Sequence, residues 1–374
     1  MPMMFKIDQG LGTFVSTDIN ASEKQMEQLR QAVMTVDDDP GSLKKAVKTI
    51  KNLISKDSLF LRAYVMLAEM YLDLDDEKQA TATYIKGCQA GLKLMPDDFS
   101  GPLDMDNPDV ICFMHCHTSY ASDLVDRGDY KACMEAVLRQ LVFDAEDSFD
   151  IAYDLGELAL MSGDTEEAAR ILAEQTESRP TAWYSLAYLA FTEGNFPLAA
   201  SRLRKAFMLA PYAINFMTGS LTPPNIFWEQ GPRPPYLPAE LTFVESLGNE
   251  MWMNNEEAHS FLNWLSQTGQ VLTEKAAMVL LSEKSLAAGD VTDEIEKEFQ
   301  ALWNAITEES CRKMVSPVKN PANDEGETDL PWKILASYHE QLAAENDFED
   351  DDDCGCGCGC HEEDDDDDCG CRCH

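Results

Sequence analysis

The chain has 374 residues, 44 % of them apolar, and its 68 Asp and Glu against 29 Lys and Arg give a formal charge of −39. That length and apolar content can bury one large repeat array or two ordinary domains. A surface so negative repels nucleic acid and anionic membranes and favours cationic partners or solubility in a crowded compartment.

Residues 1–23 read as an N-terminal extension. The opening MPMMFKIDQG lacks the basic, apolar, small-residue order of a secretion signal, and no apolar run is long enough to cross a bilayer. A cytoplasmic protein with reduced body cysteines is therefore expected. From residue 24 to 211 the apolar residues recur at helical spacing. Ala46, Ile50 and Leu53 lie one 34-residue period before Ala80, Tyr84 and Gly87, which predicts a divergent first helical pair from about Met26. Over 61–94, Tyr64, Leu67, Ala68, Tyr71, Ala80 and Tyr84 form a second unit in which Asp75 stands where a turn glycine is usual. An insert from about Lys93 to Cys112, broken by Pro96, Pro102 and Pro108, separates it from a third unit carrying Tyr120, Ala121, Leu124, Gly128 and Cys133.

Units 149–180 and 181–211 nearly repeat one another. In the first, Ala152, Leu155, Gly156, Ala159, Gly163, Ala168, Leu172, Gln175 and Pro180 hold the positions taken in the second by Trp183, Leu186, Ala187, Ala190, Gly194, Ala199, Leu203, Ala206 and Pro211. This pattern resembles the tetratricopeptide repeat. Small residues at Gly156, Ala168, Ala187 and Ala199 let two helices approach, and the glycine turns the chain between them. The resemblance implies an all-α, right-handed helical solenoid of five repeats that docks protein partners on its concave surface. Arrays of this family that bind acidic C-terminal peptides use a basic clamp, and Arg202, Arg204 and Lys205 are the densest basic cluster in the best repeats. On an acidic body such a cluster is equally well a solvated face.

Residues 212–239 form a Pro-rich loop, with Phe227, Trp228 and Tyr236 as anchors either for the concave surface or for packing between two helical parts. Helical spacing resumes over 240–313, where Trp252, Phe261, Trp264 and Leu280 are the expected core. A polar linker, 314–328, leads to a capping helix at 329–346 with Trp332, Ile334, Leu335, Tyr338 and Leu342 on one side.

The last segment, 347–374, is an acidic Cys/His tail expected to be disordered. It holds thirteen carboxylates against Arg372, a net of −12, and leaves −27 on the body. Cys354, Cys356, Cys358, Cys360, Cys369, Cys371 and Cys373 are seven of the twelve cysteines, and His361 and His374 each follow one directly. Thiolate and imidazole are the ligands that Zn2+ and Cu+ prefer, and nine such donors suffice for two tetrahedral shells. The Cys-x-Cys spacing resembles metallothionein segments, which implies a flexible metal cluster or transfer site. Within the body, Cys112, His115 and Cys116 share a helix face at i, i+3 and i+4 and form a second candidate metal site. His117, however, falls where a repeat needs a core side chain.

No phosphate-binding loop, HExxH, GxSxG or haem-attachment motif occurs, and no catalytic residue is assigned. The sequence therefore reads as a non-enzymatic interaction scaffold whose tail binds a soft metal ion and senses it, buffers it or hands it to the partner. The alternatives are a purely structural adaptor with a solubilising tail and a metal enzyme built on Cys112 to His117.

Overall fold

The computed structural model describes residues 3–36, 40–211, 213–218, 242–244, 246–321 and 326–338. Five helical hairpins follow one another: α1 (Ile19–Met34) with α2 (Pro40–Lys56), α3 (Leu61–Leu72) with α4 (Glu77–Leu94), α5 (Pro108–Asp126) with α6 (Tyr130–Phe143), α7 (Leu155–Met161) with α8 (Thr165–Gln175), and α9 (Ala182–Thr192) with α10 (Phe196–Leu209). The turns inside the last four hairpins share one device. Each has a residue at positive φ, namely Asp75 at 55°, Gly128 at 70°, Gly163 at 90° and Gly194 at 74°. Glycine adopts this conformation without strain, and aspartate tolerates it better than most residues. The next residue caps the following helix. Asp76, Asp129, Asp164 and Asn195 accept from the backbone N–H groups of Gln79, Ala132, Glu167 and Leu198. Each such cap contributes about 1 kcal/mol.

Small side chains set how closely the helices pack. A Cβ at Gly156 would lie 2.6 Å from the Leu172 side chain, and one at Gly91 would collide with the Phe113 ring. Ala168, Ala187 and Ala199 are fully buried. The inter-helix space is thus filled by the neighbour's large residues, at about 1.5–3 kcal/mol for each buried Leu or Phe.

The N-terminus adds a small β-hairpin to the helical array. Strands β1 (Met3–Asp8) and β2 (Leu11–Ser16) pair antiparallel, with Met3 opposite Ser16. Gln9 and Gly10, both at positive φ, close the two-residue turn whose twist suits a hairpin. This hairpin uses the insert between the second and third helix pairs as its support. Gly12 N–H donates to Pro102 O, Asp104 N–H donates to Gly12 O, and Phe5 and Phe14 pack edge-on against Phe99 and Phe113. The first helix starts at Ile19, earlier than Met26, because the Asp18 carboxylate caps Ala21 N–H.

Beyond α10 come α11 (Ala213–Met217), α12 (Leu247–Met253), α13 (Glu256–Ser266), α14 (Gly269–Ala288), α15 (Asp293–Ala305) and α16 (Glu308–Arg312). Helix α11 lies in the stretch read as loop. Helices α13, α14 and α16 pack on α10 and end the array. Trp252, Phe261 and Trp332 are completely buried, and Trp332 seats the helical residues 331–338 against Phe196, Phe261 and Trp264. Leu280 is not core; it is 58 % exposed. Helix α14 meets the body through Val271, Glu274 and Leu281, and a residue one position from Leu281 points about 100° away. Tyr338 is likewise 57 % exposed, not on the packed side of its helix. Part of the expected linker is structured, since β3 (Val318–Lys319) pairs with β4 (Thr328–Asp329). Among the described residues no helix is long and apolar enough to cross a membrane.

Candidate interaction surface

The first helices of the hairpins, α1, α3, α5, α7 and α9, line one face, the concave one in a solenoid of this kind. Over α5, α7 and α9 the chain covers that face itself. Leu247 is buried with Ala121 and Leu124 of α5 and Leu158 of α7. The Phe243 ring lies 5.1 Å from that of Tyr184, and Gly248 sits so close that a Cβ would approach Ser185 Oγ to 3.0 Å. Trp252 Nε1–H donates to Tyr184 O at 3.2 Å, and Asn255 donates to the Tyr188 hydroxyl. Residues 243, 244 and 246–255 thus cover this part of the face.

Beneath them is a buried polar cluster. Glu157, with no exposed surface, accepts from Arg179 at 2.7 Å and from Ser185 Oγ at 2.5 Å. Arg179 also donates to Tyr153 O and Gln175 and lies over the Tyr153 ring. Asp154 lies beside the Leu247 backbone at the start of α12. Burial, then Glu157, push its carboxyl up to about 7; Glu250 adds to this, and Arg179 opposes it. Asp154 Oδ1, Glu157 Oε2, Arg179 Nε and Asn249 Oδ1 have no hydrogen-bond partner among the described residues.

Toward the N-terminus, α1 and α3 form a groove of about 470 Å³, lined by Ser22, Glu23, Met26, Glu27 and Arg30 of α1 and Arg62 of α3. Both arginines are already engaged. Arg30 pairs with Glu27 at 2.9 Å, and Arg62 makes a bidentate pair with Asp109 at 2.7 and 3.0 Å. Helical spacing continues the Arg62 face through Met66, Glu69 and Asp73. Glu23, Glu69 and Asp73 have no ion-pair partner among the described residues. Burial raises the Glu69 carboxyl above its ordinary range, against the pull of His115, and Asp73 adds to the rise. This stretch of the face therefore presents uncompensated negative charge.

The residues singled out from the sequence are distributed differently. Arg204 cannot contact a partner: it is 3 % exposed, and it pairs with Glu274 and donates to Cys311 Sγ at 3.1 Å. Arg202 donates to Leu186 O at 2.6 Å, and the Lys205 ammonium sits 5.1 and 4.6 Å from the Trp183 and Trp303 rings. Both lie on a second helix of a hairpin, away from the concave face. Cys112, His115 and Cys116 do not converge. Cys116 is buried against Gly87, His115 is exposed with its ring against Phe149, and Cys112 lies toward Arg62 and Asp109. Among the described residues no three His, Cys, Asp or Glu side chains are grouped to hold a metal ion. His117 fills the core position, 2 % exposed, with Nδ1 hydrogen-bonded to Gln140 at 2.8 Å. Phe227, Trp228, Tyr236 and all nine tail donors, from Cys354 to His374, lie outside the described residues.

Asp154, Glu157 and Arg179 were not singled out from the sequence. One signal was present: in LGELAL, Glu157 stands between Gly156 and Leu158 in an otherwise apolar turn, where a carboxylate needs a buried partner.

The tetratricopeptide-repeat family profile matches residues 151–174, spanning α7 and most of α8. Two crystal structures of MamA are similar to parts of the chain. One is 15 % identical, covers 52 % of this chain and 96 % of MamA, and has a TM-score of 0.33. The other is 14 % identical, covers 57 % and 99 %, and has a TM-score of 0.37. No curated protein sequence matches. The matched repeat, with the hairpins of the same design on either side of it, makes this chain a tetratricopeptide-type helical solenoid with additional C-terminal helices.

Proposed function

We propose that the protein is an interaction scaffold that receives a cationic segment of a partner on the α1, α3 and α5 part of its concave face. The observation that carries this reading is the division of that face. Its later part is filled by residues 243–255, while its first part keeps free carboxylates beside arginines that are already paired. The reading assigns no catalytic residue. Its test is binding of a labelled Lys/Arg-rich peptide to the full chain, followed by fluorescence anisotropy. Reversing Glu23 and Glu69, both exposed, to Lys should weaken binding at least about tenfold and flatten its salt dependence. Equal affinity in wild type and variant would sink the proposal.

We further propose that the tail binds Zn2+ or Cu+ through Cys354, Cys356, Cys358, Cys360, His361, Cys369, Cys371, Cys373 and His374. Support comes from the donor set and its alternate spacing alone. The flanking carboxylates concentrate cations and raise thiol pKa, so binding should release protons and weaken as pH falls. Elemental analysis should find about two ions per full chain and none held tightly once all seven tail cysteines are changed to Ser. Retention of metal by that variant refutes the assignment.

A further inference from the structure

On the side of the array away from the concave face, α8 and α10 flank a second groove, about 280 Å³ in volume, floored by α9. Ala169 and Ala173 form one wall, Leu198, Arg202 and Lys205 the other, and Trp183 the floor. Every charged residue lining it is positive, in a chain with 68 acids and 29 bases. Neither cation has an ion-pair partner among the described residues. The side chain of Arg202 reaches only a backbone carbonyl, with Glu193 and Glu308 acting on it from farther off. Lys205 lies between two tryptophans whose rings are 5.5 Å apart. Burial, and for Lys205 also the neighbouring Arg202, lowers both pKa values. Two part-buried, uncompensated cations beside an apolar floor make a receptor for an anionic chain segment that also carries apolar atoms.

The chain supplies such a segment at the right place. Trp332 packs 4.9 Å from Phe196, the first residue of α10, and the described chain ends six residues later at Tyr338. Residues 339–349 alone can span about 36 Å, and the 14 residues of α10 are about 21 Å long. The acidic run that starts at Glu349 is therefore long enough to reach Arg202 and Lys205, about 9 and 14 Å along α10 from Phe196. Covalent linkage supplies a high local concentration, which offsets the general repulsion between an acidic tail and an acidic body.

We infer that the groove between α8 and α10 is the docking site of the chain's own acidic segment 349–368, held by Arg202 and Lys205. This goes beyond the concave-face and metal readings and depends on neither. The test is zero-length carbodiimide cross-linking of the full chain, which joins a lysine amine to a carboxylate only where the two touch, with mass-spectrometric mapping. Lys205 should link to carboxylates within 349–368, and the link should fade in about 0.5 M salt, where screening is strong. It should also fall several-fold in Arg202→Gln. Tail links at Lys205 no more frequent than at the exposed Lys297 and Lys313 would overturn the inference. So would links found only between chains in a mixture of isotopically labelled and unlabelled protein, since these place a second copy in the groove.

Discussion

Asp154 makes the filled groove sensitive to pH. Its carboxylate lies beside the start of α12 across the groove, next to Glu157 and within reach of Glu250, with Arg179 as the opposing cation. Burial is the largest influence and lifts its pKa from 3.8 to about 7. The folded protein therefore keeps a proton between about pH 4 and 7 that the unfolded chain has released. A raised carboxyl pKa contributes most to stability below the unfolded value and loses that contribution as pH rises to the folded value, with no further change above it. The span of about three units, at about 1.4 kcal/mol per unit, corresponds to about 4 kcal/mol.

Asp154→Asn keeps the size and shape of the side chain and removes the charge. At pH 8 the variant should be more stable than wild type by an amount approaching 4 kcal/mol. The difference should shrink as pH falls from 7 toward 5. Urea unfolding at half-unit steps from pH 5 to 8.5 gives the difference curve, and hydrogen exchange at Leu247 and Gly248 localises it to α12. Other groups titrate in both proteins and cancel. His117, whose pKa burial lowers, favours the fold increasingly as pH rises through the ordinary histidine range, in the opposite sense to Asp154. Cys133 and Tyr153, which also face Asp154, have raised pKa values and stay neutral throughout. Parallel pH profiles for wild type and Asp154→Asn would refute the argument.

Three further outcomes are expected. Arg204→Ala leaves Glu274 buried without its partner and should cost about 3–5 kcal/mol in urea unfolding; a variant as stable as wild type would return Arg204 to the list of surface residues. Gly156→Ala drives a methyl to 2.6 Å from Leu172 and should cost about 1–3 kcal/mol, whereas Gly269→Ala, with nothing within 4 Å of the added carbon, should be neutral or slightly stabilising in the same thermal melt. Burial pushes the thiols of Cys88 and Cys112 up to about 12 and that of Cys133 to about 11. Iodoacetamide at pH 8 should therefore label these native cysteines at least about a hundredfold more slowly than glutathione. Labelling of Cys112 at the glutathione rate would contradict its assigned environment.

What could be read from the sequence was local and repeated. A turn residue able to take positive φ, a capping Asp or Asn after it, and small residues one helix turn apart recur in hairpin after hairpin, so the period exposes them even where Asp75 replaces glycine. The β-hairpin at the N-terminus follows an equally local rule, alternation around Gln9 and Gly10, but it occurs once, and no period draws attention to it. Pairings across long separations left no such trace. Arg204 meets Glu274 seventy residues later, and Trp252 donates to Tyr184 from sixty-eight residues away. In sequence, Arg202, Arg204 and Lys205 form one basic cluster; the helix divides them, turning Arg204 into the core and leaving the other two beside Trp183. Repeats specify the helical hairpins, but residues 243, 244 and 246–255, which belong to no repeat, pack across the later ones. Their anchors Phe243, Leu247 and Trp252 meet α5, α7 and α9 from 59 to 126 residues away, contacts that no repeat period could have indicated.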